Sequence, residues 1–204
     1  MTTPANNSHY ASKLTSAETA ASLIPSDVNI SMGMALGEPP ALLTAISKRL
    51  EAGELSGMKL WYLHSMPCAG ETVLRYEFMD RLRPHCMFMG PIERELRKRG
   101  DKDGRKIVEF VPAAFSAASD VLCNQVEIDT FITTVSPMDR HGWFTFGCNN
   151  DYATSVARAA KRLIVEVNPN LPRTFGDSLL HISEVDAVIE HEAPLYETPV
   201  RQLS

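Results

Sequence analysis

"VNISMGMALGEPPALLTAISKRL", residues 28–50, passes from a short apolar run through two glycines into a stretch where Leu42, Leu43, Ile46 and Leu50 share one helical face. The first part reads as a buried strand and the last as an amphipathic helix. Pro39 and Pro40 suit a first helical turn, where a missing N–H costs nothing, and Gly53 closes the helix. The segment is therefore a strand, loop, helix unit, and its repetition along the chain decides the fold.

The unit recurs twice downstream. "MKLWYLHS" (58–65) is a strand with a helix expected over Glu71 to Leu82, and "HCMFMG" (85–90) is a strand with a helix expected over Ile92 to Lys98. "KIVEFV" (106–111) and "EIDTFITTVS" (127–136) read as further strands. Asn149, Asn150 and Asp151 cap an expected helix with Val156, Ala159, Ala160 and Leu163 on its apolar face, leading into the strand "LIVEVN". "VDAVIE" (185–190) is the last strand. Upstream, Thr15-Ser16-Ala17-Glu18 has the capping-box pattern, with the Thr15 hydroxyl and Glu18 closing the start of a helix through Ala20, Leu23 and Ile24. Strands that alternate with helices and lack a polar face predict a three-layer α/β/α domain with a mostly parallel sheet.

Composition agrees with one globular domain: 204 residues, 44% hydrophobic and 22% charged. The net charge of −5 argues against nucleic acid as a partner, and the basic run "RELRKRG" (94–100) reads as a solvated helix face. No apolar run approaches the roughly 18 residues of a membrane span. The four cysteines show no C-x-x-C spacing and the start lacks an apolar core, so the expected location is cytoplasmic, with reduced thiols. Residues 1–11 are expected to be unstructured, 12–193 to form the domain, and 194–204, with Pro194 and Pro199, to begin a linker.

In a parallel α/β sheet, ligands bind beyond the carboxyl ends of the strands, so the loops there are the candidates. "GMALGEPP" offers Gly33 and Gly37, but it is neither a dinucleotide fingerprint nor a phosphate loop, and Glu38 opposes an anion. "FMGPIERELRKRG" places Gly90 and Pro91 at a helix start. "TTVSPMDRHGWFTFG" (133–147) holds Ser136, Asp139 and His141; Asp139 with His141 suggests an acid–base pair, whereas an Asx turn with Gly142 at positive φ explains the same residues without chemistry. A Ser-His-Asp triad cannot converge from six consecutive residues. The six histidines show no metal-ligand spacing.

Four segments together resemble one family: "LGEPPALLTAISKRL", "MFMGPIERELRKRG" followed by "EFVPAAFS", "VSPMDRHGWFTFG", and "VEVNPNLPRTFGDSLLHISEVDAVIE". They are similar to the amino-terminal half of the acetyl-CoA hydrolase and CoA-transferase family, over residues 12 to 197. The resemblance implies a class I CoA-transferase-like fold and transfer of CoA from an acyl-CoA to a small carboxylic acid (4-hydroxybutyrate-, acetate- or itaconate-like) through a glutamyl-CoA intermediate. It implies no cofactor beyond the coenzyme A thioester substrate, and it places the nucleophilic glutamate in a carboxyl-terminal half, so no catalytic residue is assigned here. Acyl-CoA hydrolysis and a catalytically inactive assembly module are the alternatives.

The resemblance carries over a set of cleft-lining residues. These are Gly33, Gly37 and Pro39; Gly90 and Arg94; Ser136, Asp139, Gly142 and Gly147; and Asn168, Pro172, Arg173 and Gly176. Ile92 stands where relatives tend to have asparagine. Arg173 is expected either to pair with a carboxylate through its planar fork or to brace its own loop. An apolar face left for the second half implies self-association as a homo-oligomer.

Overall fold

The computed structural model describes residues 4–197. The chain runs through α1 (Pro4–Lys13), α2 (Ala17–Ser22), β1 (Asn29–Met32), α3 (Pro40–Glu51), β2 (Met58–Tyr62), α4 (Pro67–Glu71), β3 (Leu82–Cys86), α5 (Pro91–Lys102) and β4 (Glu109–Phe110). It continues through α6 (Ala118–Asp120), which passes into a π turn, then β5 (Thr130–Val135), β6 (Trp143–Thr145), α7 (Ala153–Ala159), β7 (Arg162–Val167), β8 (Leu179–His181) and β9 (Ala187–Glu190). Among the described residues, seven strands form one parallel sheet in the order β4-β3-β2-β1-β5-β7-β9. β6 and β8 pair antiparallel in a second, small sheet that the sequence reading does not anticipate.

Two apolar layers cover the large sheet. Ile24, Leu42, Ile46, Leu50, Leu74 and Leu96 pack on one face, and Leu122, Phe144, Tyr152, Val156 and Ile182 pack on the other. All six residues of β5 are buried, which is why a central strand such as "TFITTV" shows no polar alternation. The three-layer α/β/α arrangement expected from the repeated unit is present.

Several local expectations are corrected. The helix over Glu71 to Leu82 is absent: α4 ends at Glu71, and Val73, Leu74, Phe78 and Met79 are buried from turns and a short 3-10 segment instead. The following strand is Leu82–Cys86 rather than 85–90. Pro84 is tolerated there because β4 pairs with β3 only at His85 and Cys86. The strand expected over 106–111 shrinks to Glu109–Phe110. The helix cap near the start moves one residue: Ser16 Oγ, not Thr15, accepts Thr19 N at 3.1 Å, while Glu18 pairs with Lys48 at 3.2 Å. On α7 the buried residues are Ala153, Thr154, Val156 and Ala157, Ala159 is exposed, Ala160 is half-buried just past the helix, and Leu163 belongs to β7.

The start expected to be unstructured carries α1 instead, with Tyr10 stacked near Phe144 and its hydroxyl 2.6 Å from Glu190 Oε1. Of the expected linker, 194–197 lies outside helix and strand, and 198–204, including Pro199, falls outside the described residues. The basic run lies on α5, where Arg97–Asp101, Lys98–Glu95 and Arg99–Glu77 form solvent-facing ion pairs. Among the described residues no helix is long and apolar enough to cross a membrane.

Candidate active-site cleft

The sheet order reverses direction between β1 and β5. From β1 the chain adds β2, β3 and β4 outward on one side; from β5 it adds β7 and β9 on the other. The loops leaving β1 and β5 therefore diverge and open a crevice at their carboxyl ends. A cleft of about 500 Å³ lies there, lined by Ala35, Leu36, Glu38, Pro40, Met66, Cys68, Thr134, Asn168 and residues 193–197.

Close stitching of the β1 loop onto β5 creates this opening. A Cβ on Gly33 would fall 2.5 Å from both Gly37 O and Thr133 Oγ1, so the position admits only glycine. Thr133 Oγ1 donates to Gly37 O at 3.2 Å, and Thr134 Oγ1 donates to Glu38 O at 2.7 Å. Ala35, between the two glycines, has φ 50°, a left-handed conformation that side-chain-bearing residues rarely adopt. Pro39 is buried at the start of α3.

Three buried carboxylates stand behind these loops. Glu38 accepts Met66 N at 2.7 Å and Ala69 N at 3.1 Å; burial outweighs these donors and pushes its carboxyl up to about 8. Glu166, from β7, accepts Ala41 N at 3.2 Å and Leu42 N at 3.0 Å at the start of α3, and burial raises it to about 7. Glu93 Oε1 accepts the hydroxyls of Tyr62, at 3.0 Å, and Ser65, while Oε2 has no protein partner beside the bare Cα of Gly90. The Cys68 thiol in the cleft wall is pushed up to about 12 by burial and then by Glu38, Glu166 and Glu71, so it is not a thiolate nucleophile at neutral pH.

The turn of residues 136–147 is a brace closed by its own side chains and by Arg173 from a later loop. Ser136 is fully buried; its Oγ accepts Thr145 N at 3.0 Å and Thr145 Oγ1 at 3.1 Å, which uses the hydroxyl to hold β6. Asp139 Oδ1 accepts His141 N at 2.8 Å and Trp143 N at 3.0 Å, and Oδ2 lies 2.7 Å from Arg173 Nη2. Partial burial opposes ionisation of Asp139, but the Trp143 and His141 N–H groups and then Arg173 hold its carboxyl below the usual range. The His141 ring turns to Arg140, whose Nε donates to Nε2 at 3.0 Å, so the acid–base pair suggested by the sequence is replaced by the Asx turn. Gly142 supplies the positive φ of 87°.

Arg173 belongs to the same brace: its Nη1 donates to Trp143 O at 3.0 Å and Pro137 O at 3.4 Å. Gly147 packs against Leu171, which leaves no room for a Cβ. Pro172 and Gly176 are exposed on the same loop, and Arg94 is exposed on α5 with Nη1 2.9 Å from Met89 O. Of the thirteen positions named from the sequence, the structure places Asn168 in the cleft lining and Gly33, Gly37 and Pro39 in its frame. Thr134, Met66, Cys68 and the 193–197 segment went unnoticed, since each joins the cleft only through the sheet order.

Comparison with known proteins gives a consistent picture. The Acetyl-CoA hydrolase/transferase N-terminal domain family matches residues 2–197. The chain is 32% identical over 190 residues to the 4-hydroxybutyrate coenzyme A transferase of Clostridium kluyveri, covering 92% of this chain and 42% of that protein. The crystal structure of RipA from Yersinia pestis is 46% identical and superposes with a TM-score of 0.96, over 98% of this chain and 47% of that one. The 4-hydroxybutyrate CoA-transferase structure from Porphyromonas gingivalis, 20% identical with a TM-score of 0.76, covers 94% of this chain and 42% of that one and shares the fold. The chain thus spans about half the length of these relatives.

Proposed function

Because the chain belongs to the acetyl-CoA hydrolase/transferase family, we propose that it is the amino-terminal half of a CoA-transferase that moves CoA from an acyl-CoA to a small carboxylic acid. The observation that carries this reading is the cleft at the β1–β5 reversal, in a domain of this family, bounded by tightly held loops. In the reaction, a glutamate carboxylate attacks the thioester carbonyl and expels the CoA thiolate, giving a mixed anhydride. The thiolate then attacks the glutamyl carbonyl and releases the first acid. The second acid attacks the resulting glutamyl-CoA, and the same two steps run in reverse.

Three acids of this chain near the cleft are ill suited to the first attack. Glu38 and Glu166 are buried and bound by backbone donors, and Glu93 is buried and bound by hydroxyls. The proposal therefore assigns the nucleophile to the second half of the protein. Phe88 after β3, Phe110 at the end of β4 and Phe175 after β7 are 51%, 52% and 87% exposed on the strand-end edge, which suits packing against such a half.

The test combines this chain with its carboxyl-terminal half and follows CoA exchange between two acids, with released thiol read in parallel. Transfer that depends on the acceptor acid is expected. Thiol release that is independent of the acceptor would favour hydrolysis, and turnover of acetyl-CoA by the 204-residue chain alone, lost on replacing one of its glutamates, would overturn the assignment.

A further inference from the structure

Beyond β9 the chain turns back across the strand ends. Asn168 Nδ2 and Asn170 Nδ2 both donate to Ala193 O, at 2.9 and 3.0 Å, and Asn168 Oδ1 accepts Asn170 N at 3.0 Å. Asn168 is only 4% exposed and anchors the fork from the interior, while Asn170 completes it from the exposed side. It sets residues 194–197 against the cleft, facing Leu36, Pro40 and Met66.

Apart from the Cys68 thiol and, on the 193–197 segment, the Tyr196 hydroxyl and Glu197 carboxylate, the polar side chains of the cleft are already committed. Glu38 is held by Met66 N and Ala69 N, Thr134 Oγ1 by Glu38 O, and Asn168 by Ala193 and Asn170. Among the described residues, no lysine, arginine or histidine lines the space. A phosphate or carboxylate would therefore meet no cation there, whereas a hydrocarbon chain would meet aliphatic side chains on both sides.

We propose that residues 194–197 form the outer wall of an acyl-chain subsite, with Leu195 and Tyr196 setting the chain length that the cleft accepts. For its place in catalysis the proposal rests on the transferase reading, but the binding itself does not. Each methylene buried between the two walls adds roughly fourfold in affinity, so truncating the outer wall flattens the dependence on chain length. Asn168 and Asn170 act as positioning residues, through the Ala193 carbonyl.

The decisive experiment uses the 204-residue chain with hexanoate as probe, read by saturation-transfer NMR. The terminal methyl is expected to receive strong saturation from the wild-type protein and at most half as much from Leu195→Ala or Tyr196→Ala, with Tyr196→Phe close to wild type. Asn170→Ala, an exposed position whose loss removes one donated bond from the fork, is expected to lower the saturation received by the methyl, because the outer wall is then held by Asn168 alone. In the enzyme carrying both halves, Tyr196→Ala is expected to narrow the ratio of kcat/KM for hexanoyl-CoA and butyryl-CoA.

Absence of saturation transfer to hexanoate in the wild-type chain overturns the subsite, whatever the enzyme does. Equal transfer in all variants, Asn170→Ala included, also overturns it. A two-half enzyme that moves no CoA, with the NMR results intact, overturns the transferase reading and leaves the subsite standing.

Discussion

The β1–β5 cleft and the 136–147 turn sit on the same edge of the same sheet, and both are crowded with polar groups. At the turn, Asp139 pairs with Arg173 from a later loop, and Ser136, Asp139 and Arg173 spend their remaining donors and acceptors on Thr145 and nearby backbone. At the cleft, the polar groups tie the loops to one another around a gap whose lining mixes aliphatic side chains such as Leu36, Pro40, Met66 and Leu195 with polar ones. Density of polar residues therefore does not locate a binding site; what matters is whether those groups close on each other or brace a gap.

The largest effect that would sharpen this contrast is expected from Gly33→Ala. Its Cβ would meet a backbone carbonyl and the Thr133 hydroxyl at 2.5 Å, and the backbone cannot yield cheaply. We expect a loss on the order of 3 kcal/mol, read by urea unfolding, or failure to accumulate folded protein. Near-wild-type stability would mean that the β1 loop is not stitched to β5 as described.

Arg173→Lys ranks next and tests the brace. Lysine keeps the charge but loses the fork that spans Asp139, Trp143 O and Pro137 O. With both partners about one-third exposed, we expect about 1 kcal/mol of destabilisation, a few degrees in Tm, and little change in kcat/KM for the acceptor acid. A large fall in kcat/KM with unchanged Tm would move Arg173 from the brace to the substrate.

The smallest effect concerns pH. Glu38 holds its proton up to about 8 in the folded chain, against an ordinary value near 4.5. Between those values the unfolded chain is ionised there while the native one is not, so this group's contribution is complete below pH 4.5 and declines as pH rises towards 8. Glu166, raised to about 7, acts in the same direction. Glu38→Gln stays neutral throughout, and its Tm should fall less steeply between pH 5.5 and 8.5 than that of the wild type, even though the amide satisfies only one of the two N–H donors. Parallel slopes would show that Glu38 is ionised in the native protein.

The fold was legible in the chain because its information is local. The apolar runs at 28–32 and 130–135, the proline-started helices α3 and α5, and the glycines between them each act over a few residues, and their repetition implies a parallel sheet. The Asx turn was legible for the same reason, since Asp139 and Gly142 complete it within four residues. Where a local signal misled, as at Glu71 to Leu82, burial by turns satisfied the same apolar residues without a helix.

The cleft was legible only in part: Asn168 and the framing Gly33, Gly37 and Pro39 were named from the sequence, but what faces them across the gap was not. Glu38 meets Met66, Thr134 meets Glu38, and Asn168 meets Ala193 across separations of 28, 96 and 25 residues. Strand order alone decides which of the loops diverge and which segment crosses the gap. The side-chain pattern of each strand is compatible with several orders, because a strand buried on both faces needs only apolar neighbours; the long-range hydrogen bonds that select one order, and with it the cleft, exist only once the sheet has assembled.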